Sequence, residues 1–251
     1  MRILRVLLFL FCFSFFSCEK NEIGDPLIDS YSYIFMDYPS SIMPSQDYYN
    51  FVDVVYTGGR VVKRVGGLIP LHYSTGYKFR FTNKISDIVS CKKGIIEITK
   101  ESAFDDIDLM PETRTLYINN SNNITRKILN KSDTLDFKYN SKGQIIESSK
   151  LKGGKIELSK FYFNVDNNLD SIVTFNLKNG KKTIEIFKEY DNNPNPLKHL
   201  VIFDETFHRS LSKNNYTEYV KEVYDSNNIN VGQSFKKWTL TYTVNGYPSF
   251  K

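Results

Sequence analysis

The sequence predicts an all-β protein: an antiparallel meander of successive hairpins that forms a twisted open sheet, a sandwich or a partly closed barrel. The chain of 251 residues contains 17 tyrosines and 19 phenylalanines, whereas alanine occurs only as Ala103. Aromatic and β-branched side chains suit a pleated, half-buried surface, while alanine favours helices. Several segments also alternate apolar and polar residues, which is typical of antiparallel strands with one buried face and one wet face.

The first predicted hairpin joins strands at 51–56 and 60–65. Gly58-Gly59 lies between them and provides the positive φ that a tight turn requires. A second glycine pair, Gly66-Gly67, is expected to end the hairpin. Further strands are predicted at 77–82, 95–99, 116–118, 135–139, 173–177 and 238–244, the last having the most regular period of two. The stretch 215–224 fits either a helix or a strand, and its tyrosines and valines favour a strand.

A recurring unit in the chain consists of an aromatic residue, Asn or Asp, a polar turn and an apolar strand. Its three stronger copies begin at Tyr139, Phe163 and Tyr190, and two weaker copies begin at Ile118 and Tyr224. The spacing of the stronger copies leaves room for two strands and two turns. Lysine-flanked turns alternate with these copies, at 152–155 and 178–181. Each unit therefore predicts one hairpin, which buries its apolar face by stacking beside its neighbours.

At these residues the chain resembles YD-repeat proteins, whose pattern is Tyr-Asp-x-x-Gly-x-Leu. It resembles more closely a set of uncharacterised Bacteroidetes outer-membrane lipoproteins with degenerate repeats of this type. The resemblance covers residue 115 to the C-terminus and implies that a short loop follows the copy at Tyr190–Pro196. Glycine is missing from four of the five copies, which argues against the large closed shell of long YD-repeat toxins. The resemblance implies an envelope role and brings no catalytic residues.

The N-terminus predicts a lipoprotein signal peptide at 1–17. Arg2 and Arg5 precede an apolar run that is too short to cross a bilayer as a helix. Ser17-Cys18 then resembles a lipobox, in which a small residue precedes the cysteine that receives lipid. Cys12 is a poor alternative because it follows a bulky phenylalanine within the apolar run. An ordinary signal peptide with an incidental cysteine is the competing interpretation.

We therefore expect cleavage between Ser17 and Cys18, a lipidated tether at 18–45 and a β-rich repeat domain at 46–251. Acyl chains on Cys18 would anchor the protein stably in a membrane. The segment 19–22, which contains Glu19, Lys20 and Glu22, resembles the signal that sends Bacteroidetes lipoproteins to the outer face of the outer membrane. A solvated tether has the same composition, so the periplasmic face and the cell-surface face both stay open.

The sequence contains no motif that predicts catalysis, a cofactor or a metal site. His72, His199 and His208 are expected to be structural, the last two on either side of an apolar strand. The acidic segment 101–112 lacks the spacing and the glycine of a calcium loop and predicts an exposed loop. Cys91 is expected to be a buried or half-buried apolar residue.

The lysines are scattered between acids and asparagines at a formal net charge of +5, which argues against a nucleic-acid partner. Asp133-Thr134-Leu135 and Asp170-Ser171-Ile172 match the O-glycosylation triplet of Bacteroidetes periplasmic proteins, so Thr134 and Ser171 are candidate glycosylation sites. These observations favour a non-catalytic envelope lipoprotein that binds a glycan or a protein. A structural or assembly component of an outer-membrane complex is the alternative, and a hydrolase would need a histidine to converge with acids in a pocket.

Overall fold

A computed structural model describes residues 27–33, 50–73, 76–103, 112–129, 132–244 and 246–250 of the protein. Across these ranges fourteen strands form one antiparallel sheet in strict sequence order, and a short two-stranded hairpin follows. The sheet is an open meander that does not close on itself. The predicted all-β class is confirmed, and of the predicted forms the open sheet is the one observed.

The strands are β1 (Ser30–Ser32), β2 (Phe51–Thr57), β3 (Arg60–Tyr73), β4 (Gly76–Lys92), β5 (Ile95–Ser102), β6 (Thr113–Ile118), β7 (Ile124–Ile128), β8 (Thr134–Tyr139), β9 (Ile145–Lys152), β10 (Lys155–Phe163), β11 (Leu169–Asn176), β12 (Lys182–Tyr190), β13 (Tyr216–Tyr224), β14 (Asn230–Lys237), β15 (Thr241–Tyr242) and β16 (Pro248–Ser249). A 3₁₀ helix (Pro196–Leu200) and the short helix α1 (Phe207–Ser210) lie between β12 and β13. The ambiguous stretch 215–224 is thus a strand, as its composition predicted.

Consecutive strands reverse direction, so the turns fall alternately at the two ends of the strands. We name these two sides of the sheet by their turns and call each of them an edge. One edge, the Asn-rich edge, carries the turns 119–123, 140–144 and 164–168. The other, the lysine edge, carries the lysine-flanked turns 153–154 and 177–181. The predicted alternation of the two kinds of turn is therefore confirmed for these hairpins.

The weak repeat copy that begins at Tyr224 departs from this order. Its Asp225 follows β13 and lies at the lysine edge, opposite the other copies. Asp225 nevertheless accepts the N–H groups of Asn227 and Ile229 at 2.9 Å each. The motif therefore encodes a type of turn and does not by itself fix the edge at which the turn lies.

The glycine pair Gly66-Gly67 interrupts β3 without ending it, contrary to the prediction. Gly66 has φ +104°, and the register between β3 and β4 shifts between Val65 and Gly67. A Cβ on Gly66 would lie 2.8 Å from Cζ of Phe81. The glycine pair therefore forms a bulge, which a larger residue would disrupt.

The core lies on one face of the sheet, which we call the inner face. Ile98, Leu116 and Phe137 are buried on it, and Leu197 and Phe203 cover them from the segment between β12 and β13. Side chains that alternate with these strand residues lie on the opposite, outer face. The sheet thus buries its inner face against a segment of its own chain.

The strand predicted at 238–244 is largely absent. β14 ends at Lys237, and only Thr241–Tyr242 pairs, with β16. The alternating pattern has another cause. The side chains of Trp238 and Leu240 pack on the core, while Thr239 between them is exposed to solvent. The chain then returns to the first strand.

The C-terminal segment is attached to β1 through Phe250. The N–H of Ser32 donates to the carbonyl of Phe250 at 2.7 Å, and the Phe250 ring is buried. A backbone contact therefore joins the first strand to the C-terminal segment.

Candidate functional site: a cleft at the Asn-rich edge

The turns at the Asn-rich edge share one hydrogen-bond pattern. In each, the side-chain oxygen of the first residue accepts the backbone N–H groups two and four residues later. Asn119 does so at 2.9 and 3.0 Å, Asn140 at 2.9 and 3.0 Å, and Asn164 at 3.0 Å for both. A short polar side chain that mimics a backbone turn in this way is the reason for Asn at these positions.

The fourth residue of each of these turns has a left-handed backbone. Asn122 has φ 60°, Gly143 φ 78° and Asn167 φ 65°. Asn tolerates this conformation better than other residues with a side chain. The glycine that is missing from the degenerate copies is therefore replaced by a residue that adopts the same geometry.

The copy at Asp191 has the same closure but contains a long insertion, residues 192–214. The N–H of Asp191 donates to the carbonyl of Asn215 at 3.0 Å, as the first residue does to the fifth in the other copies. Asp191 Oδ1 accepts the N–H groups of Asn193 at 3.2 Å and Asn215 at 3.0 Å. The short loop implied by the family resemblance is thus wrong, because the turn here opens into a folded segment.

Buried polar side chains hold the insertion in shape. Asn195 donates through Nδ2 to the carbonyls of Arg209 (2.7 Å) and Ser212 (2.9 Å), and its Oδ1 accepts the N–H of Leu197 (2.9 Å). Thr206 donates through Oγ1 to the carbonyl of Leu200 at 2.5 Å. Because buried polar groups need such partners, these bonds specify one conformation of the loop.

A cleft of about 240 Å³ lies between the insertion and the neighbouring turns. Its walls come from the turns 119–123 and 140–144, the adjoining strand ends, the 3₁₀ helix and α1. The lining residues are Asn122, Asn123, Ile124, Tyr139, Gly143, Gln144, Ile145, Phe163, Lys198, Val201, Ser210 and Leu211. Among these described residues Lys198 carries the one formal charge, so the cleft combines amide groups, two aromatic rings and a single cation.

The aromatic residues that precede the turns link one repeat copy to the previous one. The hydroxyl of Tyr139 donates to the carbonyl of Ile124 at 2.7 Å, and the hydroxyl of Tyr190 donates to the carbonyl of Leu169. Burial raises the pKa of Tyr190 above its ordinary value. Phe163 occupies the equivalent position between them, where it has no hydroxyl and lines the cleft.

Beneath the insertion lies a buried cluster of charged groups. Glu205 of the insertion accepts hydrogen bonds from Arg64 on β3 and, at 2.7 Å, from the Tyr31 hydroxyl on β1. Arg64 also pairs with Asp87 on β4 at 2.7 Å, and Arg114 on β6 pairs with the same carboxylate at 3.0 Å. Burial works to lower the pKa of Arg64, but Glu205 and Asp87 outweigh it and raise the pKa. The guanidinium therefore stays charged.

The neighbouring Asp204 makes a second contact between the insertion and the sheet. Lys127 on β7, itself buried, approaches Asp204 Oδ1 at 3.2 Å and lies 4.5 Å from the centre of the Phe207 ring. Desolvation raises the pKa of Asp204, but Lys127 and then Arg114 lower it by more, so its pKa lies below the ordinary value. Opposite charges therefore hold the insertion against the sheet.

A buried arginine fixes the other side of the insertion. The Arg209 guanidinium lies 4.3 Å from the ring centre of Tyr216, 4.7 Å from that of Trp238 and 5.4 Å from that of Phe250. Burial lowers the pKa of Arg209 to about 10, which leaves it charged at neutral pH. Aromatic faces attract a cation in this geometry. The insertion, β13 and the C-terminal segment thus pack around one side chain.

The predicted site residues are placed as follows. Ser17 and Cys18 lie outside the described residues, so cleavage and lipidation stay predictions. Thr134 begins β8 and Ser171 lies in β11, both half-buried, and the Ser171 hydroxyl donates to Asp170 at 3.2 Å. Neither lies in the cleft, and their glycosylation also stays a prediction.

Two predictions about individual residues are wrong. Cys91 has an exposed side chain, because it lies near the end of β4 beside the turn at Lys93-Gly94, beyond the part of the strand that the core covers. His199 and His208 flank no strand, since they lie in the 3₁₀ helix and in α1.

The remaining candidates bring no catalytic group to the cleft. His72 lies in β3, far along the chain from the cleft-lining residues. Of the acidic segment, Glu101 and Glu112 are exposed and residues 104–111 lie outside the described ranges. Within the described residues, no group of His, Cys, Asp and Glu side chains is placed to hold a metal ion. In that same part of the chain, no helix has the length and apolar character needed to span a bilayer.

The cleft could not be predicted from the sequence because its walls include the insertion. Asn215 could have indicated the insertion, because it directly precedes β13. Two of the other turns also end in an Asn directly before the next strand, at Asn123 and Asn168. An Asp–Asn pair that closes a turn over a long interval marks an insertion into a repeat.

The fold and the cleft define an open antiparallel sheet protein whose candidate site is built on repeat turns. No protein-family model matches the chain, and no curated protein matches it. Among solved structures, a porin-like protein from Bacteroides uniformis is similar, with a TM-score of 0.49 and 13% sequence identity. The match covers 79% of this chain and 80% of that one. A likeness of this size does not define a function.

Proposed function

We propose that the protein is a non-catalytic, lipid-anchored binding module of the bacterial cell envelope and that the cleft at the Asn-rich edge receives its ligand. The observation that carries the proposal is the origin of the cleft. One of the repeat turns opens into a folded insertion, and this insertion docks beside the neighbouring turns so that a cleft of about 240 Å³ is left between them.

The lining favours a glycan as the ligand. The rings of Tyr139 and Phe163 offer flat apolar surfaces to the face of a sugar ring. The amides of Asn123 and Gln144 can both donate to and accept from sugar hydroxyls. Lys198 adds a positive charge, which suits a sugar that carries a carboxylate or a sulfate. A few placed polar groups among apolar ones are typical of ligand sites.

A binding role is favoured over catalysis by the same set of residues. A hydrolase would need a base within hydrogen-bond reach of a nucleophile or an acid. His199 and His208 are the histidines nearest in sequence to cleft-lining residues, but neither lines the cleft. The ring of His208 packs against Phe187, with the ring centroids 5.9 Å apart. The lining residues therefore support recognition of a ligand without a chemical step.

The proposed anchor is the acylated Cys18. The support is the basic, apolar and small-residue sequence ahead of it. Mass spectrometry of the N-terminal peptide is expected to show acyl chains on Cys18. An unmodified N-terminus at another residue would contradict the anchor and leave the proposal for the cleft intact.

Glycan binding by the purified full chain tests the proposal for the cleft. Oligosaccharides with and without acidic sugars are screened on an array, and the hits are measured by calorimetry. Lys198→Ala is expected to weaken binding of an acidic glycan about tenfold, because a charged hydrogen bond contributes about 1.5 kcal/mol or more. Lys213→Ala is the matched control, since Lys213 is exposed on the same insertion and does not line the cleft.

Two outcomes would contradict the proposal that the cleft binds a glycan. One is the absence of any glycan hit for a correctly folded protein. The other is a hit whose affinity is unchanged by Lys198→Ala together with Gln144→Ala.

A second candidate function is a structural or assembly component of an outer-membrane complex. The observation that favours it is β14, which within the described residues pairs with β13 alone and so presents an open strand edge. Strand addition at such an edge is a common mode of protein recognition. Cross-linking and purification from membranes would then yield one partner in a fixed ratio, whereas a monodisperse protein without a partner would rule this candidate out.

A further inference from the structure

Three exposed apolar side chains form a row at the lysine edge. Leu151 on β9 and Ile156 on β10 are cross-strand partners, and Leu177 donates its N–H to the carbonyl of Ile156 at 3.0 Å. Their exposed fractions are 39%, 44% and 61%. Alternation places them on the outer face, since the buried Phe161 and Ile172 of the same strands point to the inner face. The three side chains therefore form one continuous apolar surface.

Lysines lie at the strand ends and turns beside this row. Lys152 and Lys155 face each other across the β9–β10 turn, and Lys178 and Lys181 flank the β11–β12 turn. All four are exposed, and the sequences of these two turns contain no Asp or Glu. Alternation places Lys152 and Lys155 on the inner face, so the lysines make the strand ends beside the row positive and do not encircle it.

Two acids in the connections at this edge accept backbone N–H groups, whereas Glu101 and Glu112, which flank the β5–β6 connection at the same edge, are exposed. Asp133, on the loop before β8, is buried and accepts the N–H of Gly153 at 3.1 Å. Asp225, in the β13–β14 turn, accepts the N–H groups of Asn227 and Ile229. The outward charge of the two turns beside the row is therefore set by the lysines.

We propose that the lysine edge docks on an anionic lipid bilayer, with the row of Leu151, Ile156 and Leu177 in the headgroup region and the lysines against the lipid phosphates. Apolar side chains gain free energy there because they leave water. Lysine stems lie along an apolar surface while their ammonium groups reach outward, and each lysine near an anionic surface strengthens binding about fivefold. A second copy of the chain is a poorer occupant, because a two-fold contact would bring lysines against lysines.

Docking at this edge has a consequence for the cleft. The lysine edge and the Asn-rich edge lie at opposite ends of the same strands. A docked molecule therefore holds the cleft away from the bilayer, open to the aqueous side. This orientation rests on the proposed function, whereas docking itself does not depend on what the cleft binds.

The test uses two tryptophan variants of the full chain, one at each edge. Leu177→Trp probes the lysine edge, and Val165→Trp is the matched control in the turn 164–168, where Val165 is 96% exposed. The natural Trp238 is present in both, and its emission is subtracted with the unsubstituted protein. Each variant is mixed with vesicles of brominated phosphatidylcholine, with and without phosphatidylglycerol, and quenching is measured.

We expect strong quenching of L177W that requires phosphatidylglycerol, and little quenching of V165W under the same conditions. Lys178→Gln with Lys181→Gln in the L177W chain is expected to lower the ratio of docked to undocked protein on the order of 30-fold, and Lys178→Glu with Lys181→Glu is expected to lower it further. Lys142→Glu with Lys213→Glu is the charge-matched control away from the lysine edge and should leave quenching unchanged.

Equal quenching at both edges, no quenching of L177W, or quenching that is independent of phosphatidylglycerol would overturn the proposal. A spectral shift of L177W that depends on protein concentration without vesicles would overturn it in favour of self-association. Protein that sediments only with vesicles containing phosphatidylglycerol would contradict the lipid anchor and support the docking. If the unsubstituted protein binds no glycan while L177W is quenched as expected, the proposed function of the cleft is contradicted and the docking proposal is not.

Discussion

Asp191 and Asn215 close a turn although the whole insertion lies between them. The N–H of Asp191 donates to the Asn215 carbonyl at 3.0 Å, and Asn215 Nδ2 donates to both carboxylate oxygens of Asp191 at 3.2 and 3.1 Å. The same Nδ2 lies 3.3 Å from the carbonyl oxygens of Asn193 and Pro194, so its two hydrogens are shared among four acceptors. The insertion therefore begins and ends at one point, and the strands β12 and β13 pair as they would around a short turn.

Asn215→Ala is expected to destabilise the protein by about 2 kcal/mol. The substitution leaves the Asp191 carboxylate and two carbonyls without the donor that Nδ2 supplies, and removing one partner of a buried hydrogen bond costs about 1–3 kcal/mol. Urea unfolding at neutral pH measures the loss. Asn227→Ala, at an exposed turn position, is the control and should change stability by less than about 0.5 kcal/mol. Equal effects of the two substitutions would contradict a closing role for Asn215.

The positions of the turns could be predicted from the sequence because each turn is a local property. Asn119, Asn140 and Asn164 accept N–H groups within four residues, so their preference needs no information from the rest of the fold. The strands between them follow from alternation of apolar and polar residues. What a local pattern could not fix is the edge at which each turn lies, as the copy at Asp225 shows.

Two substitutions of Asn122 distinguish how much stability depends on the left-handed backbone at this position and how much on the Asn side chain. Asn122→Gly should keep the stability within about 0.5 kcal/mol, because glycine adopts the φ of 60° without strain. Asn122→Ala should cost about 1 kcal/mol, because an ordinary side chain is strained in this region. Thermal unfolding of both variants, with Ser121→Ala as a neighbouring control, measures the difference. A glycine variant less stable than the alanine variant would show that the side chain is the more important factor.

Glu205 is expected to hold the insertion to the sheet. Glu205→Gln removes the charge that pairs with the buried Arg64 and should cost about 3 kcal/mol, as for one broken partner of a buried ion pair. Hydrogen exchange should then accelerate selectively in residues 192–214. Glu147→Gln is the control, because its pair with the exposed Lys138 is worth less than about 1 kcal/mol. Acceleration spread evenly over the sheet would argue against a local role.

The insertion itself could not be predicted from the pattern of single residues. Its core positions, such as Leu197, Leu200 and Phe203, follow no period of two and no long helical period, because the segment consists of turns and two very short helices. Its stability comes from contacts with distant strands, such as the pair between Glu205 and Arg64. The alternation around Trp238 has a related explanation: its ring packs on Arg209, and beyond its backbone bond to Thr217 the chain leaves β13.

His208 predicts that stability falls in mild acid. Burial lowers its pKa; Glu185 opposes this and Lys127 adds to it. Below its unfolded pKa of about 6.5, the unfolded chain binds a proton that the folded chain does not bind, so stability decreases as pH falls through this range. His208→Phe keeps an aromatic ring beside Phe187 and removes the titration. The loss of stability between about pH 7.5 and about pH 5.5 should be smaller in this variant than in the natural protein, and an equal loss would exclude His208 as its source.

Phe163 occupies a place in the repeat where a tyrosine would complete a series of hydrogen bonds. Tyr139 donates to the carbonyl of Ile124, and Tyr190 donates to the carbonyl of Leu169. Each acceptor directly follows the previous turn, and Ile145 is the equivalent residue for Phe163. Phe163→Tyr is therefore expected to stabilise the protein by about 1 kcal/mol, the typical contribution of one hydrogen bond, and Tyr139→Phe to destabilise it by about the same amount.

The same substitution separates stability from ligand binding, because Phe163 and Ile145 both line the cleft. A hydroxyl directed at the Ile145 carbonyl would occupy part of a cleft of about 240 Å³ and place a polar group at its apolar wall. Phe163→Tyr should therefore raise the midpoint of urea unfolding and weaken glycan binding, whereas Tyr139→Phe lowers the midpoint. If Phe163→Tyr lowered the midpoint instead, the regular geometry inferred for the repeat would not extend to this position. If it strengthened glycan binding, the aromatic wall would be recognising a hydrogen-bond acceptor on the ligand and not the apolar face of a sugar.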